Sequence, residues 1–430
     1  MESKRVFNEQ LQEEMQFAIH ESGLKVYVFP KKGFSKYYAI YGTEYGSIDR
    51  CFQVPGEKEM TTVPDGIAHY LEHKLFEQED GGNAFDLFAK TGASSNAFTS
   101  FDMTAYLFSC TDKFYENLDI LLEFVNRPWF TQENVAKEQG IIGQEIKMYD
   151  DDAEWRVFFN ALSAMYHENP VKIDIAGTVE SISHITPDLL YRCYNTFYNP
   201  ANMVLVLVGD VELEKAMTYV DKYVDASRNL GQIPRGEVSE PKERKQEMIE
   251  QKLLVSRPLF RIGFKETSTE TDAVSRLRRE IANELILEAV FGKSSDFYME
   301  LYEEGLIDSS FGAETEIAKT YGFTLLGGES NQPEKVYQKV KEKLETLQKG
   351  GIPAEELARA RKVLISGNIR MFNSVERMGN AFIRHILAGY QPLEFADAVK
   401  QVNDEMVLKQ LVAHFDTGNC VLSVVRPVGE

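Results

Sequence analysis

The chain has 430 residues, 43% hydrophobic and 27% charged, which is too long for one ordinary core and points to two or more domains. A formal net charge of −20 argues against a nucleic-acid surface built on clustered Lys and Arg, and no apolar run is long enough to span a membrane. The polar opening "MESKRVFNEQLQEEM" lacks a secretory apolar stretch. The four cysteines, Cys51, Cys110, Cys193 and Cys420, lie far apart without a CxxC pair, so the expectation is a cytoplasmic protein with reduced thiols.

In chain order, "LKVYVFPKKGFSKYYAIYGTEYGS" (24–47) alternates apolar and polar residues, which predicts half-buried antiparallel strands. Pro64-Asp65-Gly66 then starts a helix, with Asp65 available as N-cap, that runs through "HYLEHKLFE". The stretch "SNAFTSFDMTAYLFSC" (95–110) is strand-like, and helical periodicity covers 113–126, 131–149 and 153–167. "NMVLVLVGDVE" (202–212) reads as a buried strand. The span 226–251 has two prolines, dense charge and few large apolar residues, the composition of an interdomain linker. Beyond it come strand-like "LLVSRPLFRIGFK", a long helix from about Asp272, strand-like "FTLLGGES" and helices from Glu334 onward.

Shifting the sequence by 217 residues superposes Tyr198 on Phe415, Asn202 on Asn419, Val204 on Val421 and Leu205 on Leu422, in each case a helix followed by a core strand. The expected architecture is therefore α+β, with two tandem similar domains, each an antiparallel or mixed sheet packed with helices. Residues 1–226 form the domain carrying the histidine motif, 227–250 the linker, and 251–430 a second domain without that motif.

On the helix from Ile67, residues Ile67, Leu71 and Leu75 share one stripe, while His69 and His73 fall together on another side. Two imidazoles one turn apart can bind a single Zn²⁺ with little strain. Glu72 projects close to the same place, badly placed to share the metal but well placed to take a proton from water held there. A catalytic zinc needs a third protein ligand, and the 131–152 helix, N-capped by Thr131, supplies carboxylates. Glu138 and Glu145 lie on one face of it, separated by about 10.5 Å of rise, so only one of them can reach the ion. Spacing alone does not choose between them.

The HxxEH motif, with "SNAFTSFDMTAY", "EQGIIGQEIKMYDDD" and "FYNPANMVLVLVGDVE", resembles the pitrilysin, or inverzincin, family of zinc metallopeptidases over nearly the whole chain. It looks most like the zinc-motif subunit of heterodimeric bacterial members and the mitochondrial processing peptidase beta subunit. The resemblance implies one Zn²⁺ per chain held by His69, His73 and Glu145, with Glu138 as the carboxylate behind the ligands and Glu72 as general base. It also implies two similar domains facing each other as a clamshell, and an extended peptide bound along the edge strand at Asn96 and Ala97.

Self-sufficient members carry an Arg-x6-Tyr pair in the second half that holds substrate. Here Tyr302 stands at the Arg position and Ser309, or Asp308 with one residue deleted, at the Tyr position. The resemblance then implies a homologous partner subunit that supplies this clamp in a heterodimer, a homodimer being the other arrangement. The expected function is a zinc-dependent endopeptidase or oligopeptidase acting on short or unfolded peptides. The competing expectation is a non-catalytic scaffold or peptide-binding subunit of the same fold.

Overall fold

The computed structural model describes residues 3–268 and 270–429. One sheet has seven strands in the spatial order β1 (Ser3–Asn8), β2 (Glu13–Ile19), β3 (Lys25–Pro30), β9 (Met203–Gly209), β4 (Tyr37–Thr43), β8 (Thr104–Cys110) and β7 (Ser94–Thr99). Strands β5 (Cys51–Gln53) and β6 (Met60–Thr62) form a separate ribbon. A five-stranded sheet has the order β10 (Met248–Leu253), β14 (Val421–Pro427), β11 (Leu259–Lys265), β13 (Gly322–Glu329) and β12 (Gly312–Ile317). Helices α1 (Ile67–Leu75), α2 (Ala84–Thr91), α3 (Phe114–Asn126), α4 (Gln132–Asp151) and α5 (Ala153–Met165) belong to the first half of the sequence. Each sheet is mixed and carries helices, so the fold is α+β.

The 24–47 stretch does form two strands, but they are not neighbours. Strand β9 lies between them, parallel to β3 with Val26 opposite Leu205, and antiparallel to β4 with Ile40 opposite Val206. Every residue of β9 is buried, and β4 is buried almost throughout rather than half-buried. A strand as uniformly apolar as Met203–Gly209 is stable only with a paired neighbour at each edge and a layer on each face. On one face Val204, Val206 and Val208 pack with Phe382, Ile383 and Ile386 of the helix Val375–Ala388.

The chain forms two compact units that interleave along the sequence. The first holds the residues up to Ile146, Asp174–Glu237 and Arg370–Leu393; the second holds Lys147–Ile173, Val238–Ile369 and Glu394 onward. Thus α5 packs on β11 and β14, whereas Val375–Ala388 packs on β4 and β9. Periodicity does not reveal this exchange, because an amphipathic helix reads the same whichever sheet it covers.

The proline-containing, charged stretch read as a linker is docked near its middle, first on one unit and then on the other. In the first unit Arg235 donates to Asp49 Oδ1 at 2.5 Å and to the Glu44 carbonyl at 2.6 Å, and the Gly236 N–H donates to the Cys51 carbonyl at 2.8 Å. In the second unit the Glu240 carboxylate accepts the backbone N–H groups of His167, Glu168 and Asn169 at 2.7–2.8 Å and the Lys265 ammonium at 2.5 Å. Specific polar contacts hold this segment in place, which its composition alone did not show.

Candidate metal centre

Helix α1 starts differently from its expected form. Its N-cap is Gly66 at φ +87°, with no side-chain cap, and Asp65 instead pairs with Arg50. A Cβ on Gly66 would lie 2.3 Å from the Ala176 carbonyl oxygen, so the left-handed turn and the close approach both require glycine. Ile67, Leu71 and Leu75 face the interior, at most 3% exposed. That anchored stripe turns His69, Glu72 and His73 toward α4. The first turn of α4 is closed as expected: the Asn134 N–H donates to Thr131 Oγ1 at 3.2 Å, and the Thr131 N–H to Asn134 Oδ1 at 2.9 Å.

The two imidazoles meet edge to face, their centroids 4.6 Å apart. Both Nε2 atoms turn toward Glu145: His69 Nε2 is 3.8 Å from Oε1, and His73 Nε2 is 3.5 Å from Oε2. These gaps are too long for good hydrogen bonds. They are close to the separation of about 3.4 Å between two ligands of a tetrahedral zinc with bonds of about 2.1 Å. Among the described residues, His69, His73 and Glu145 form the one group of three or more His, Cys, Asp or Glu whose ligating atoms all lie within 4.8 Å of one another. Two nitrogens and a carboxylate oxygen are a donor set that suits zinc, so these three residues could hold the ion.

Glu138, the other candidate, stands on the far side of the ring. Its Oε1 is 3.1 Å from His73 Nδ1, so the carboxylate takes that nitrogen as donor, and in the neutral ring Nε2 then carries the lone pair a metal needs. The heptad rise along α4 separates the two carboxylates so that each addresses a different nitrogen of one imidazole. Burial would depress His73, but the Glu138 hydrogen bond and the charges of Glu72 and Glu145 outweigh it and raise the imidazole. Glu138 is buried as well. The hydrogen bond and charge of His73, with Lys74 and Lys137, nonetheless hold it below the usual carboxylate range. Burial pushes His69 down to about 3, with His73 adding to the effect, so its imidazole is neutral, the form a metal requires.

Glu72 is 8% exposed. Its Oε2 accepts from Thr99 Oγ1 at 2.8 Å; Thr99 Oγ1 lies 3.3 Å from Thr104 Oγ1, which itself donates to the Tyr45 carbonyl at 2.9 Å. Burial raises the Glu72 carboxyl to about 7, against the Thr99 hydrogen bond and His73 and with help from Glu145. A carboxylate tuned to neutrality can both take and return a proton at pH 7.

Among the described residues strand β7 pairs only with β8, which makes it an open edge. Asn96 and Ala97 lie on it, and Asn96 Oδ1 accepts the Ala97 N–H at 2.9 Å. In the second unit Tyr302 is exposed and stacks on Tyr298 with centroids 6.3 Å apart, while Asp308 pairs with Arg257 at 2.7 Å and accepts from Ser310 Oγ at 2.5 Å. Sequence reasoning missed Thr99 and Lys74. Thr99 lies inside the quoted 95–110 stretch and ends β7, and only strand register shows that it reaches Glu72. Lys74 is fully buried, paired with Glu77 and 3.9 Å from Glu138 Oε2; the Glu77 three residues on was its one sequence signal.

Comparison with known proteins agrees with this geometry. Residues 59–179 match the family described as insulinase (peptidase family M16), and 184–364 match the peptidase M16 inactive domain. The zinc protease YmfH of Bacillus subtilis, itself uncharacterized, is 44% identical over 407 residues, 94% of either chain. A putative M16-like peptidase from Alicyclobacillus acidocaldarius superposes with a TM-score of 0.92 at 33% identity, covering 97% of this chain and 99% of its own. A protease from Helicobacter pylori shares the fold, with a TM-score of 0.80 at 20% identity, covering 96% of this chain and 99% of its own. The described residues contain no helix long and apolar enough to cross a membrane. A seven-stranded and a five-stranded mixed sheet, with a His-His-Glu cluster on the first unit, are thus the structure of a member of the M16, or pitrilysin, family of zinc proteases.

Proposed function

We propose that the chain is a zinc-dependent endopeptidase or oligopeptidase that hydrolyses short or unfolded peptides in the cytoplasm. The observation that carries this reading is a cluster of two Nε2 atoms and a carboxylate with the buried Glu72 carboxyl beside it, held by Thr99. When bound, zinc supplies Lewis acidity that makes water acidic near neutral pH and polarises a carbonyl. His69, His73 and Glu145 hold the ion, and Glu138 keeps His73 in the tautomer that presents Nε2. Glu72 takes the proton of the attacking water and returns one to the leaving amine, with its Oε2 held in place by Thr99. The peptide adds as a strand to β7, its carbonyl replacing Asn96 Oδ1 on the Ala97 N–H.

Tyr302 at the Arg position, and Ser309 or the Arg257-bound Asp308 at the Tyr position, do not supply the cation and the phenol of the Arg/Tyr clamp. We therefore assign the clamp to a homologous partner subunit in a heterodimer, a homodimer being the alternative. The same substitutions favour a second reading, a peptide-binding subunit without activity. The test is cleavage of a quenched peptide library by the chain with candidate partners, with zinc measured in parallel. Glu72→Gln should keep its zinc and lose at least about a hundredfold in kcat. Wild-type rates in that variant would sink the mechanism, and zinc-loaded protein that binds peptides without cleaving any would favour the second reading.

A further inference from the structure

Strand β7 sends alternate side chains to the two faces of its sheet. Thr99 points to the α1 face, where it reaches Glu72. Phe98 points to the opposite face and packs against the cluster that contains Phe382, Ile383 and Ile386 of the helix Val375–Ala388. On that helix, exposed Arg384 holds its guanidinium 5.9 Å from the centre of the Phe98 ring. No hydrogen bond or ion pair engages Arg384 among the described residues, in contrast to Lys36 of the same unit, which pairs with Glu376.

We infer that Arg384 and Phe98 form a subsite that takes an acidic side chain of a peptide bound along β7. The inference rests on the peptidase reading above and names a substrate preference for it. A strand added to the open edge continues the pleat, so every second side chain of the peptide falls on the Phe98 face. Directly opposite side chains on neighbouring strands have their Cβ atoms about 5 Å apart, within reach of an arginine stacked on the intervening ring. A guanidinium resting on an aromatic face keeps its N–H edge free, and that edge matches a carboxylate in two parallel hydrogen bonds. The chain as a whole carries a net charge of −20, which would repel acidic peptides in general. An unpaired cation beside the edge strand admits one at a defined register.

The experiment measures binding rather than turnover, and compares paired peptides so that a clamp missing from both cancels from the ratio. Fluorescent peptides of neutral sequence, each with a single Glu or its isosteric Gln stepped along the chain, are titrated into zinc-loaded Glu72→Gln protein. At one register the Glu peptide should bind about tenfold more tightly than its Gln twin. Adding Arg384→Gln should bring that ratio to within about twofold while leaving the Gln peptide's affinity unchanged, and Arg384→Lys should restore part of it. Binding without a Glu preference at any register, or a preference that survives Arg384→Gln, would overturn the subsite and leave the peptidase reading standing. Failure of every peptide to bind would overturn the subsite, and the peptidase reading is tested separately by cleavage with candidate partners.

Discussion

Five strands of the first sheet, β3-β9-β4-β8-β7, have the same order and directions as the whole of the second, β10-β14-β11-β13-β12, with one parallel pair followed by three antiparallel ones. The likeness extends to side chains. In the first unit Thr99 and Thr104 sit opposite each other across β7 and β8, and Thr99 donates to Glu72. In the second, Thr315 and Thr324 sit opposite each other across β12 and β13 with their hydroxyls 2.8 Å apart, and Asn283 Nδ2 donates to Thr315 at 3.1 Å. Asn283 therefore stands in the second unit where Glu72 stands in the first. By helical spacing, Glu280 and Glu284 stand where His69 and His73 do. An amide cannot accept a proton at neutral pH, and two carboxylates replace the neutral imidazoles a catalytic zinc prefers. One scaffold with a Thr–Thr anchor thus serves both units, and three side chains on one helix separate the unit with the His-His-Glu cluster from the unit whose described residues hold none.

The largest test of this contrast exchanges the fates of the two anchors. Glu72→Gln should lower kcat at least about a hundredfold, whereas Asn283→Ala should leave cleavage within twofold of wild type and lower only the melting temperature, by roughly 2–4 °C. A comparable loss of activity in both variants would break the assignment of chemistry to the first unit.

The second unit spends its buried charges on stability. Burial would raise Glu266, but its hydrogen bond and charge interaction with His414, the Ser268 N–H and the Arg279 charge outweigh burial and depress it to about 2. A carboxylate whose folded value lies below its usual 4.5 stabilises the fold above pH 4.5, and that stabilisation fades as the pH falls toward 2. Glu266→Gln should cost about 3 kcal/mol at neutral pH, with the gap to wild type closing over that acid window in denaturant titrations. A gap that persists at pH 2 would show that packing, not charge, is what the substitution removes.

In the first unit the corresponding pairing acts on an imidazole. Glu138→Gln should weaken zinc binding about 10- to 100-fold in chelator competition while leaving the fold intact, because the amide can no longer hold His73 by charge. Unchanged affinity would remove Glu138 from the site. The smallest expected effect concerns the exchanged helices. A Cβ on Gly42 would lie 2.7 Å from Ile383 Cδ1, and one on Gly263 would lie 2.9 Å from Met165 Sδ. Gly42→Ala and Gly263→Ala should each cost about 1–2 kcal/mol, since both strands admit a helix contributed by the other half of the sequence. A neutral effect at either position would mean that the long side chain moves aside without loss.

Much of the first unit's site is legible in the sequence because it is local. His69, Glu72 and His73 lie on one helix, where spacing alone sets their direction, and the apolar stripe of Ile67, Leu71 and Leu75 anchors it. The carboxylates of α4 were visible too, but spacing did not say which of them faces the imidazoles, and only the family resemblance named Glu145. That depends on how α4 crosses α1, and the structure puts Glu145 at the Nε2 atoms and Glu138 at Nδ1. The insertion of β9 between β3 and β4, the exchange of α5 for Val375–Ala388, and the docking of Arg235 and Glu240 are all long-range pairings. Composition and period carry no information about such partners. Gly66 as N-cap was hidden for a different reason: Asp65 has the better capping chemistry, and only the approach of Ala176 shows why glycine is needed after it.

The claim at the centre is that, of two like units, the first alone holds zinc, through His69, His73 and Glu145. Metal analysis of the purified chain tests it most directly. The account predicts one zinc per chain in wild type and in Glu284→Gln, and less than about a tenth of that in Glu145→Gln. Two zinc ions per wild-type chain, or full zinc in Glu145→Gln, would contradict it.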